Sequence, residues 1–111
     1  MAVVICSGQY TGIANTKSAD LVTGSYQFIG KGKITLVCKA SAIAMNATLI
    51  VGGISFVNDQ PILYYGTAGT VSITDNIMVS QQTNGGKAEF YIRNSGAATP
   101  SVDYLILFEP N

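Results

Sequence analysis

Between Lys87 and Arg93, apolar Ala88, Phe90 and Ile92 alternate with Lys87, Glu89, Tyr91 and Arg93, the two-residue period of a strand with one buried face. The same period runs through Lys33 to Ala40: Ile34, Leu36, Cys38 and Ala40 point one way, Lys33, Thr35, Val37 and Lys39 the other. Helical spacing would mix those faces. Further strands are expected at Val3–Cys6, Ser25–Ile29, Ala47–Val51, Ile54–Val57, Ile62–Tyr65, Val71–Ile73 and Ile77–Ser80, all rich in β-branched and aromatic residues. Turn chemistry separates them at Gly30-Lys31-Gly32, Gly52-Gly53, Asn58-Asp59-Gln60-Pro61, Asp75-Asn76 and Asn84-Gly85-Gly86. No long amphipathic run with helix start and stop signals interrupts the pattern. The pattern predicts an all-β chain: one domain over residues 1–111, with 1–20 a candidate amino-terminal arm. The domain is an antiparallel β-sandwich of about eight strands, jelly-roll-like in order. An immunoglobulin-type sandwich fits less well, because there is no tryptophan for its two cysteines to flank.

The last strand breaks the alternation. Val102, Tyr104, Ile106 and Phe108 form one face, but Leu105 and Leu107 place large apolar groups on the other. Such a strand is either covered by its own amino-terminal segment or buried against another chain. On the second reading, Val3, Val4 and Ile5 together with Leu105 and Leu107 supply subunit or capsid contacts.

Composition sharpens that reading. Of 111 residues only 6 are Lys or Arg and 6 are Asp or Glu, 11% charged, while 48% are hydrophobic. An ordinary soluble domain is about 25% charged, so much of this surface is expected to lie against protein. Net charge is zero, and the cations are scattered, so no field exists to hold nucleic acid or an anionic membrane. The apolar start has no basic region before it and is cut short by Ser7-Gly8-Gln9, so synthesis in the cytoplasm without export or a membrane span is expected. In that setting Cys6 and Cys38 are expected to be reduced and buried, and the sequon Asn46-Ala47-Thr48 unmodified.

Little here promises chemistry. Histidine is absent, which removes serine- or cysteine-histidine catalysis. Asp59, Asp75, Asp103, Glu89 and Glu109 are not spaced as a catalytic pair, and Glu89 and Asp103 fall on the polar faces of strands. Gly30-Lys31-Gly32-Lys33 lacks the terminal Lys-Ser/Thr and the following helix of a phosphate loop; Asn58-Asp59 and Asp75-Asn76 lack the alternating acids of a calcium loop. No catalytic residue, metal or cofactor is expected. Carbohydrate binding is the alternative of another class, since sandwich domains hold sugars on exposed rings. Tyr91, between Glu89 and Arg93, is the candidate platform among the six tyrosines.

Taken together, the strand run from Tyr26 to Phe108, the loop Asn94-Ser95-Gly96-Ala97-Ala98-Thr99-Pro100 and the closing Tyr104-Leu105-Ile106-Leu107-Phe108 resemble a tailed-phage head protein. The resemblance, over nearly the whole chain, is to the small jelly-roll decoration or staple proteins on heads of the epsilon fifteen type of short-tailed phage. It implies a non-catalytic virion protein on the outer surface of the capsid. Such a protein clamps neighbouring major capsid subunits and pairs with itself, as a dimer in preference to a trimer. A further alternative, a single-jelly-roll major capsid subunit, usually carries a basic arm that this start lacks.

Overall fold

A computed structural model of the chain describes residues 2–24, 27–64 and 76–111. Among them are eight strands and no α-helix: β1 (Val3–Thr11), β2 (Phe28–Ile29), β3 (Gly32–Ala40), β4 (Met45–Val51), β5 (Ile54–Pro61), β6 (Ile77–Thr83), β7 (Gly86–Asn94) and β8 (Ser101–Pro110). They form two four-stranded antiparallel sheets in the orders β1-β8-β3-β6 and β2-β7-β4-β5. Strand one pairs with eight, two with seven, three with six and four with five. That is one long antiparallel ribbon rolled into a sandwich, the jelly-roll order.

The core lies between the sheets. Ile34, Leu36, Cys38 and Ala40 of β3 and Val102, Tyr104, Ile106 and Phe108 of β8 meet Met45, Ala47, Leu49 and Val51 of β4 and Ala88, Phe90 and Ile92 of β7. Each large aliphatic or aromatic side chain buried there contributes about 1.5–3 kcal/mol of transfer free energy. The Phe90 and Tyr104 rings bridge the two sheets, tilted by 52° with centroids 5.2 Å apart. The hairpin from β4 to β5 turns on Gly52 and Gly53, at φ of 59° and 81°, the two positive values a two-residue hairpin turn of this hand requires.

Several local expectations are corrected. Asn58-Asp59-Gln60-Pro61 is strand, not turn: the register passes from Ala47↔Gln60 to Leu49↔Val57, leaving Asn58 and Asp59 as a bulge opposite Thr48. Asp59 takes φ 51° there and its N–H donates to the Thr48 hydroxyl at 3.0 Å, so residues that favour turns serve a bulge. Ile62 and Leu63 are not strand, and Tyr64 makes only an isolated bridge with Ala40. Of the expected Ser25–Ile29 strand, Phe28 and Ile29 pair with β7. Ser25, Tyr26, Tyr65 and the expected strand Val71–Ile73 lie outside the described residues.

Within residues 1–20, β1 pairs with β8 along its length, from Val3↔Phe108 to Thr11↔Ser101. A bulge at Ile5 turns Ile5 and Cys6 inward in succession. Residues 16–22 then run beside β7. Main-chain N–H groups of Ser18 and Leu21 donate to Ile92 and Phe90, while the Ser18 hydroxyl and the Asp20 carboxylate accept the Ile92 and Phe90 N–H groups, both at 3.0 Å. Two polar side chains thus complete a ladder that the backbone alone leaves half made.

Candidate contact surfaces

The loops at one end of the sandwich are tied into a single cap. Gly12 N–H donates to Pro100, Asn15 to Gly96, Ser95 to Ala44, Ser41 to Ser101, Ala40 to Leu63 and Ile62 to Met45, all at 2.8–3.1 Å. Asn94, buried in the cap, donates from its amide to Ala98 and accepts from Gly96 N–H. Ala44 sits at φ 75°, a left-handed conformation that costs a non-glycine residue about 1 kcal/mol or more. Its carbonyl accepts both the N–H and the hydroxyl of Ser95, contacts that hold the strained turn.

That rigid cap presents apolar side chains to solvent. Ile13 is 61% exposed, Ile43 75%, Leu63 52% and Tyr64 52%. Segments 12–16, 41–44, 61–64 and 94–101 contain no charged residue. A shallow depression of about 400 Å³ lies among Ile43, Met45, Pro61, Leu63 and Tyr64. These residues were not among those singled out from the sequence. The signal was there: isolated isoleucines in Gly12-Ile13-Ala14-Asn15 and Ser41-Ala42-Ile43-Ala44, where turn segments are otherwise small or polar.

The sequence-derived contact residues divide between two environments. Val4 is 48% exposed and lies opposite Leu107; Leu105 and Leu107 are half-buried on the same outer face of the β1-β8-β3-β6 sheet. Ile5 is corrected: at 6% exposure it belongs to the core, so its side chain has no surface for a partner. Val37, expected to face outward, lies opposite Leu105 on that face yet is fully buried. Asp103, expected in solvent, is buried there too, with the Gln9 amide donating to it at 3.3 Å.

Tyr91 lies on the outer face of the other sheet, opposite Thr48. The Lys17 ammonium stands 4.4 Å from its ring centroid, and its hydroxyl donates to Glu89 at 2.7 Å. One ring face is therefore already covered by a cation, which a stacking sugar would have to displace. The Glu89 bond holds the phenol protonated, pushing its pKa up to about 12. Beside it Arg93 makes a two-pronged contact with Asp59, both nitrogens at 2.9 Å, and holds that carboxyl below the usual aspartate range.

The cysteines face the core as free thiols, with β8 between their strands. Two strand spacings, about 10 Å, exceed what a disulfide spans. Burial raises both thiol pKa values; at Cys6 a hydrogen bond from Tyr104 partly offsets that rise. Among the described residues no group of three or more potential metal ligands gathers, and no helix is long and apolar enough to cross a membrane. No family model, curated protein or solved structure matches the chain.

Proposed function

We propose that this chain is a virion structural protein, a non-catalytic decoration or staple protein that binds the outside of a phage head and clamps neighbouring major capsid subunits. The observation that carries this reading is the hydrogen-bonded cap, which holds Ile13, Ile43, Leu63 and Tyr64 in solvent with no charged residue in segments 12–16, 41–44, 61–64 and 94–101. A monomer in water gains nothing from such a patch, whereas a protein partner buries it. The absence of Lys and Arg from those four segments favours a protein surface over anionic lipid or nucleic acid. Rigidity reduces the ordering cost of docking, and repeated modest contacts on a shell add through effective concentration.

Binding of purified chain to heads assembled without it tests the reading. Saturable binding is expected, lost on Ile43→Asp with an unchanged melting temperature, because that side chain projects into solvent. Wild-type chain that fails to bind such heads removes the proposal. The jelly-roll order also suits a shell subunit; closed shells formed by purified chain alone, seen by electron microscopy, would replace the staple with that reading.

A further inference from the structure

We propose that a second copy of the chain docks on the outer face of the β1-β8-β3-β6 sheet, with a two-fold axis parallel to the strands between β3 and β8. The register sets the face out in rows across these central strands: Lys33 beside Glu109, Thr35 beside Leu107, Val37 beside Leu105, Lys39 beside Asp103. Turning one copy about that axis lays β3 on the partner's β8 at the same height. Each Lys33 then meets Glu109 of the other copy, and each Leu107 meets Thr35. An axis across the strands through the Lys33 row would instead set Lys33 against Lys33 and Glu109 against Glu109, juxtaposing like charges.

Shape agrees with charge. Thr35, 8% exposed, floors a depression of about 370 Å³ walled by Leu107, Ile77, Ser80, Lys33 and Glu109. The Thr35 and Ser80 hydroxyls bond each other at 3.0 Å, so each oxygen keeps one hydrogen-bond partner when that floor is covered. Leu107 is thus both the projecting group and the wall beside the hollow, which makes the surface complementary to itself, as a two-fold contact requires. Lys33 and Glu109 are exposed, and among the described residues no ion pair engages either of them. Val37 and Asp103 are already buried and offer no surface, so the contact centres on the Lys33 half of the face.

Aligned packing of two such sheets keeps their strands within about 30° of each other, compatible with this axis. Four strands about 4.8 Å apart, over the Lys33 half of their length, bury roughly 600 Å² across two copies, the size of a weak contact. The dimer is therefore concentration-dependent. It would give a staple two grips on a shell, but it is read from this face alone and does not depend on a shell.

Sedimentation of the free chain over a range of concentrations tests it without heads, so its failure is separate from failure of the shell reading. A monomer–dimer equilibrium is expected. Lys33→Glu alone and Glu109→Lys alone each place like charges at both symmetry-related contacts and should weaken association by roughly tenfold or more. Both sites are exposed, and unchanged circular dichroism would establish that the variants fold. Mixing the two variants sets acids against lysines at both contacts, so dimer should return in the mixture. A wild type that stays monomeric, or a mixture no more associated than its separate components, overturns the proposal.

Discussion

On the β2-β7-β4-β5 sheet the inner side chains Ala47, Leu49, Ala88, Phe90 and Ile92 contain no titratable group, while Glu89, Tyr91, Arg93 and Asp59 stand outside. On the β1-β8-β3-β6 sheet both faces are mixed: three titratable groups stand among apolar core residues inside, and apolar groups stand among Lys33, Lys39, Asp103 and Glu109 outside. Cys6, Cys38 and Tyr104 face inward, and Val4, Leu105, Leu107 and Ile77 face outward. The outer charges also differ: Arg93 and Asp59 pair within the chain, and Lys17 covers Tyr91, whereas among the described residues Lys33 and Glu109 engage no ion pair. The first sheet still leaves Phe28 and Ile54 at its edges 69% and 56% exposed, more than Val4 or Ile77 on the second. The second sheet leaves Lys33 and Glu109 outside any ion pair among the described residues, so the comparison teaches that the two outer faces differ in how their charges are engaged, not in whether apolar groups are exposed.

The largest effects should come where both sheets share the core and behave alike. Phe90→Ala on β7 should lose about 3–5 kcal/mol and Leu36→Ala on β3 about 2–5 kcal/mol in urea unfolding. A difference well beyond those ranges would mean that the two inner faces are not packed equally. At the rim, Asp20→Ala removes the acceptor of the buried Phe90 N–H and should cost about 1–3 kcal/mol; Asp20→Asn, which keeps an oxygen there, should cost less. Equal losses for the two would assign the effect to charge instead of to the ladder.

Smaller effects separate the sheets by pH. Burial on the inner face of β8 pushes Tyr104 up to about 12, so its contribution to stability is complete below the unfolded tyrosine value, near 10, and is lost as pH rises through the folded value. Tyr104→Phe should flatten the alkaline fall in urea midpoint. Asp59 has the opposite sign: Arg93 lowers its pKa, so its contribution is present above the unfolded value and is lost as pH falls through the folded one. Because that pair is exposed, the acid change should be the weakest of all and should shrink in salt. An acid change that persists in high salt would contradict the solvated character of that face.

Much of the architecture was legible in the chain. Alternation at β3 and β7, the Gly52-Gly53 turn and the spacing of short strands predicted a sandwich with the correct residues inward. Period-two patterning is local, and it carries that information directly. Where the backbone departs from the period, the reading failed: the Asp59 bulge resembled a turn, and the Ile5 bulge sent a presumed contact residue into the core. Ser18 and Asp20 gave no periodic signal, because their side chains act as backbone acceptors for a strand some 70 residues away. The cap residues Ile13 and Ile43 were missed for another reason: exposure of a loop side chain depends on what the neighbouring loops cover.

The sequence by itself determined the class of fold, the inward faces of strands β3, β7 and β8 and the scarcity of charge, because each follows from residue type and a two-residue period. Tertiary structure decided which strands became neighbours. Gln9 reaches Asp103 across 94 positions, and no local preference encodes a contact whose cost is the closure of so long a loop. Only that pairing placed Val4 beside Leu107 and Leu107 beside Thr35, turning apolar residues from both chain ends and the middle into one face.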